Sequence, residues 1–113
     1  MSKYKNKKIK TPDGTFDSKK EFRRWQELKL MEAEGKIKNL KRQVEFDLIP
    51  AKKNEIGKVI ERKCSYKADF VYEFMDEMVV EDVKGFKGGA GYGVFVIKRK
   101  LMLWIHKIKV VEV

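Results

Sequence analysis

The sequence predicts an α/β domain whose elements run helix, strand, strand, strand, helix, strand, giving a mixed sheet flanked by helices. Three observations predict it. Lys19 to Glu34 is rich in strong helix formers, lacks Gly and Pro, and stops at Gly35. Val44–Leu48, Tyr66–Phe74 and Met78–Val83 are dense in β-branched and aromatic residues, and the first two alternate. Val94–Lys107 then returns to helical apolar spacing before a valine-rich end, Ile108–Val113. At 113 residues the chain fits one domain.

Residues 1–10 carry Lys3, Lys5, Lys7, Lys8 and Lys10 with almost nothing apolar, a composition that cannot offset its own ordering entropy. They are expected to form a flexible basic arm or a solvated tail ahead of a single domain spanning 11–113. Pro12, Asp13 and Gly14 mark a turn, and Ser18 with Glu21 three residues later has the spacing of a capping box. In the helix that follows, Glu21, Trp25 and Leu28 share one stripe with Phe22 at its border, so a carboxylate joins the inward face.

Val44, Phe46 and Leu48 alternate with Glu45 and Asp47, and Pro50 closes that strand ahead of a polar loop. The next strand sets Tyr66, Ala68, Phe70 and Tyr72 against Lys67, Asp69, Val71 and Glu73. Gly85–Gly93 is a flexible connector; it lacks the Lys-Ser/Thr of a phosphate loop, and too little chain follows for a dinucleotide-binding sheet. In the second helix Ile97, Leu101, Trp104 and Ile105 are expected to face inward.

Lys and Arg number 27 against 17 Asp and Glu, a formal charge of +10 that favours a polyanionic partner, nucleic acid before membrane. No apolar run approaches the roughly 18 residues needed to span a bilayer, and the first residues lack a signal peptide's apolar core. A soluble, cytoplasmic protein is expected. A lone Cys64 and a lone His106 exclude an internal disulfide and a structural zinc site, so any hydrolytic chemistry must rest on carboxylates.

Those carboxylates are Asp69 and Asp82. A turn centred on Met75 and Asp76 places 69 opposite 82, where side chains meet at about 5 Å; a turn slipped by one residue places 69 opposite 84. Period 2 keeps Lys84 on the face of Asp82. Opposed like charges are more readily tolerated around a cation, and hard oxygen donors favour Mg²⁺ or Mn²⁺. Such an ion with a neighbouring lysine suits phosphodiester hydrolysis. Other acid-x-Lys triplets, beginning at Asp17, Glu27 and Glu61, lack that strand context. Glu81 directly precedes Asp82, and a β-bulge would exchange their faces.

FDSKKEFRRWQELKL, YKADFVYEF, VVEDVKG and the closing helix with IKVVEV together resemble the PD-(D/E)XK nuclease superfamily, specifically small phage-encoded resolvase-like members, from about Phe16 to Val113. The resemblance implies a restriction-endonuclease-like core and a Mg²⁺-dependent endonuclease, with branched or Holliday-junction DNA in phage recombination as substrate. It implies Glu21 as the helix-borne acid, Asp69 and Asp82 as the motif acids and Lys84 as the motif lysine. Ala68 stands where the family name has proline, and Asp82 where glutamate is more usual. Lys19, Lys20, Arg23, Arg24 and Lys87 are candidates for phosphate contacts, and Tyr92 or Phe86 for stacking on an unpaired base. A homodimer is expected, because one small domain supplies one site per strand. The rival expectation is a DNA-binding module that cuts nothing.

Overall fold

The computed structural model describes residues 8–84 and 89–113. It is a mixed α/β arrangement of a helix, a mixed four-stranded sheet and a second helix. A hairpin of β1 (Ile9–Thr11) and β2 (Gly14–Phe16) opens the described chain, turning at Pro12 and Asp13. Lys10 therefore pairs with Thr15 inside a strand; the basic segment expected to stay loose through residue 10 is ordered at its end because Ile9 packs beside buried Phe16.

Helix α1 (Lys19–Ala33) starts where Ser18 Oγ accepts the Glu21 N–H at 3.1 Å. It stops at Gly35, whose φ of 77° lets the Gly35 N–H reach Glu32 O and the Lys36 N–H reach Met31 O. Its inward stripe is the expected one: Glu21 and Leu28 are buried, and Trp25 stacks on Phe70.

Strand β3 (Lys38–Ile49) is far longer than the expected Val44–Leu48. Its polar first half gave no alternation, yet the Arg42 guanidinium lies 3.8 Å over the Phe16 ring and fills an inward position as a flat apolar side chain would. The expected polar loop after Pro50 holds a small hairpin, β4 (Lys52–Lys53) and β5 (Val59–Glu61). β6 (Cys64–Phe74) and β7 (Glu77–Asp82) follow, joined by the two-residue turn Met75–Asp76, both at positive φ. The last strand, β8 (Val111–Glu112), runs parallel to β7. The sheet order is β3-β6-β7-β8, and its other two pairings are antiparallel.

The strict alternation expected along β6 is broken at Asp69. Tyr66, Ala68 and Val71 pack with Phe95 and Met102, whereas Phe70 and Tyr72 pack with Leu28 and Phe16. The partner strand changes face at the same level, where Gln43 takes a φ of 53°. The core is thus two clusters, one under each helix.

Helix α2 (Ala90–Leu101) begins four residues earlier than expected, so Gly91 and Gly93 lie in the helix and not in a connector. A π-helical turn, Met102–His106, extends it and shifts its phase. Phe95 and Met102 are buried as a result, while Ile97 and Trp104 stand 61 % and 78 % exposed and Ile105 is also exposed. The expected inward stripe therefore faces outward, with only Leu101 half-buried against the core. Among the described residues no helix is long and apolar enough to cross a membrane.

Candidate active site

The β6–β7 hairpin pairs Phe70 with Glu81 and Phe74 with Glu77, so the turn centres on Met75 and Asp76, and continuing the register sets Asp69 opposite Asp82. The Val83 N–H donates to Asp69 Oδ2 at 2.8 Å across this end of the hairpin. β8 fixes the other side of the same segment: the Val113 N–H donates to Asp82 O, and the Lys84 N–H donates to Val113 O. The short last strand holds the backbone of Asp82 and Lys84 in place.

These residues line a cleft of about 440 Å³, with Glu21, Gln43 and Tyr66 on its walls and Lys67 and Lys98 at its border. Burial pushes the Asp69 carboxyl up to about 7, and the Asp82 acid opposite pushes the same way. Tyr66 Oη donates to Asp82 Oδ2 at 2.6 Å, and Lys84 Nζ lies 3.3 Å from Asp82 Oδ1 and 3.9 Å from the centre of the Phe95 ring. The lysine is held between an acid and an aromatic face, which limits where its charge can point.

Glu21 enters from the first turn of α1 and is 3 % exposed. Its Oε2 accepts the Asp17 N–H at 3.1 Å, one residue before the bond a capping box would make. Arg42 approaches Oε1 at 3.6 Å, and burial raises the Glu21 carboxyl above its ordinary value. Gln43 Nε2 lies 3.3 Å from both Glu21 Oε1 and Asp69 Oδ1, linking the helix acid to the strand acid. Among the described residues no three acid, histidine or cysteine side chains converge into a ready metal cage. The cleft instead holds an acid pair with a third acid one hydrogen-bonded step away.

Glu81 lies elsewhere. β7 runs without a bulge, so Glu81 points to the α1 side, where Arg24 Nε and a terminal guanidinium nitrogen grip both its oxygens at 2.8 and 2.7 Å and the Tyr72 hydroxyl donates to it. Arg24, expected to meet phosphate, is therefore committed inside the protein, with its remaining contact to Glu27. Lys19 and Arg23 are exposed on α1. Lys20 is also exposed, but its Nζ donates to Lys84 O at 2.8 Å. Lys87 and Phe86 lie outside the described residues. Tyr92 is half-buried against the core with its hydroxyl on Glu112, not free for stacking, and His106 contacts Asp47 O.

Sequence reasoning missed Gln43, Arg42 and Tyr66 as parts of this site. Tyr66 was legible only as an inward strand residue, and the face change at Gln43 leaves no mark in hydropathy. No curated protein and no solved structure gives a significant match to the chain. A family model described as "Protein of unknown function (DUF1064)" matches residues 1–109, and the chain belongs to that family.

Proposed function

We propose that the chain is a metal-dependent endonuclease that hydrolyses phosphodiester bonds in DNA, acting at the cleft between Asp69, Asp82 and Lys84. The observation that carries this reading is the opposed acid pair with a lysine fixed beside it. Two crowded carboxylates, one of them held protonated up to about pH 7, are the donor chemistry that a hard cation such as Mg²⁺ or Mn²⁺ would relieve. Asp69 and Asp82 would hold it, with Glu21 completing the oxygen shell. When bound, such an ion supplies Lewis-acid stabilisation and lowers the pKa of water.

The chain's own residues account for the rest. Lys84 Nζ is placed to meet negative charge developing on a phosphoryl oxygen. Tyr66 fixes the Asp82 carboxylate, and Gln43 orients Asp69 against Glu21. Lys67 and Lys98 can hold flanking phosphates, which gives affinity without sequence preference. The element order, helix then three antiparallel strands then helix and a parallel strand, supports a restriction-endonuclease-like core. Branched or junction DNA is the substrate that the family resemblance favours. A homodimer would bring one cleft to each strand, and the outward Ile97 and Trp104 offer apolar surface for it; sedimentation of the purified chain tests this.

The test is incubation with Mg²⁺ or Mn²⁺ and a panel of linear, nicked, forked and four-way DNA. Products that vanish on chelation are the expected result. A second reading, a DNA-binding module that cuts nothing, draws on the absence, among the described residues, of a third ligand in the acid pair's immediate surroundings. It predicts DNA binding with no product on any substrate.

A further inference from the structure

Ile49 pairs with Cys64 and Lys52 with Glu61, so β4 and β5 continue the β3–β6 ribbon beyond the sheet. Strand β7 flanks β6 only along Phe70–Phe74. Every residue from Ile49 to Lys63 is exposed. A lone two-stranded ribbon is at best marginally stable in water, and this one buries none of its side chains.

Its tip is nevertheless built. The Asn54 side-chain oxygen accepts the Ile56 and Lys58 N–H groups at 3.1 and 3.0 Å, and the Asn54 N–H donates to Lys58 O. Gly57 closes the turn at a φ of 84°. This scaffolding displays Ile56 at 87 % exposure. Lys52, Lys53, Lys58 and Arg62 stand along the ribbon against Glu55 and Glu61, while Lys63 is committed to Glu45 and Asp47.

We propose that this ribbon is an arm that lies in a groove of duplex DNA, with Lys52, Lys53, Lys58 and Arg62 on the flanking phosphates and Ile56 towards the groove floor. The proposal rests on the DNA reading above. A two-stranded ribbon fits the major groove, whose floor offers the thymine methyl group to an apolar side chain such as Ile56. Strand β6 leaves the cleft at Asp69 and reaches Cys64 after about 17 Å at roughly 3.3 Å per residue. The tip lies roughly 25 Å further on the same scale, compatible with the molecule's longest extent of 52 Å. At about 3.4 Å per base pair, the arm meets the duplex about one helical turn from the bond held at the cleft.

The experiment compares the full chain with the variant carrying Lys52→Gln, Lys53→Gln, Lys58→Gln and Arg62→Gln on a 40-base-pair duplex, with thermal melting run alongside. The variant is expected to melt as the parent does, to bind at least about tenfold more weakly, and to flatten the slope of log K against log salt by roughly two to four, about 0.9 for each phosphate no longer neutralised. Footprint protection about one turn from the cleft should disappear. Ile56→Ser should weaken binding without changing the slope. If the fourfold variant does not fold, Lys53→Gln/Lys58→Gln is read in its place, with about half the slope change. A parent that binds duplex and a variant with the same slope and footprint would overturn the arm alone. A parent that binds four-way DNA but no linear duplex would overturn the arm alone, one that binds neither would overturn the DNA reading and the arm together, and a variant defect seen only on phosphatidylserine vesicles would assign the ribbon to membranes instead.

Discussion

Glu81 and Asp82 are consecutive acids on one strand, both nearly buried, and their surroundings are opposite. Glu81 faces α1 and is answered by an arginine fork and a tyrosine hydroxyl. Asp82 faces a cleft in which Asp69 stands opposite and Lys84 and Tyr66 are the only groups drawn to it among its described partners. Hydrogen bonding by Glu81 raises the Arg24 guanidinium still further above its ordinary value, and burial raises the Tyr72 hydroxyl to about 12, with Glu81 adding to it. On that side the buried acid is matched by a cation. On the other side an acid is set against an acid, which costs stability and is the pattern of a site that expects a ligand.

Removing each acid in turn separates the two faces. Asp82→Asn should lower metal-dependent cleavage at least about a thousandfold, roughly 4 kcal/mol of barrier, with duplex binding kept. Glu81→Ala should instead cost about 2–3 kcal/mol of folding stability in a denaturant melt, less than a fully buried pair because the Arg24 side chain keeps 24 % of its surface exposed. Its cleavage should persist at temperatures where it is folded. If Glu81→Ala abolished cleavage while folded, the division between the two faces would be wrong.

Asp69 distinguishes the faces again, through pH. Folded, it takes up a proton near pH 7, and unfolded near 3.8, so between these values the folded state holds more protons. Stability must then fall as pH rises through that window. Asp69→Asn removes most of the decline: at pH 8 without divalent cation it should melt about 5 °C or more above the parent, a gain on the order of 1 kcal/mol, and at pH 4 the two should coincide. Equal melting at pH 8 would show that the acid pair is not under strain.

Glu21→Gln is the mildest change. Glutamine can still accept the Asp17 N–H, so the metal-free melting temperature should hold, while cleavage should drop about tenfold, roughly 1.4 kcal/mol. A parental cleavage rate at limiting Mg²⁺ would leave Glu21 as a helix-start residue only.

Much of this site could be read from residue order, because hairpin register is a local property. The residues allowed two registers, and the turn at Met75–Asp76 is the one that sets Asp69 against Asp82, with period 2 putting Lys84 beside it. The α1 stripe was equally local, since Ser18, Glu21 and Gly35 mark its ends and its buried face. What escaped depended on distant partners. The first half of β3 hides its inward position behind Arg42, which acts as an apolar plane only because Phe16 lies beneath it. Arg24 looked like a surface cation until Glu81 was placed beside it. In α2 two apolar stripes compete, and an early helix start with a π-helical turn selected Phe95 and Met102 over Ile97 and Trp104. Composition could not decide between them.

If Asp69 and Asp82 oppose each other in order to share a cation, as proposed, the cation itself is the probe to use. Mn²⁺ is titrated calorimetrically into the metal-free parent, Asp69→Asn and Glu81→Gln at a pH of about 6.5, below the value near 7 at which Asp69 loses its proton. The parent should show one saturable site per chain, with proton release on binding because Asp69 must ionise. Asp69→Asn should lose the site, and Glu81→Gln should keep it. Equal Mn²⁺ affinity in the parent and Asp69→Asn would contradict a shared cation.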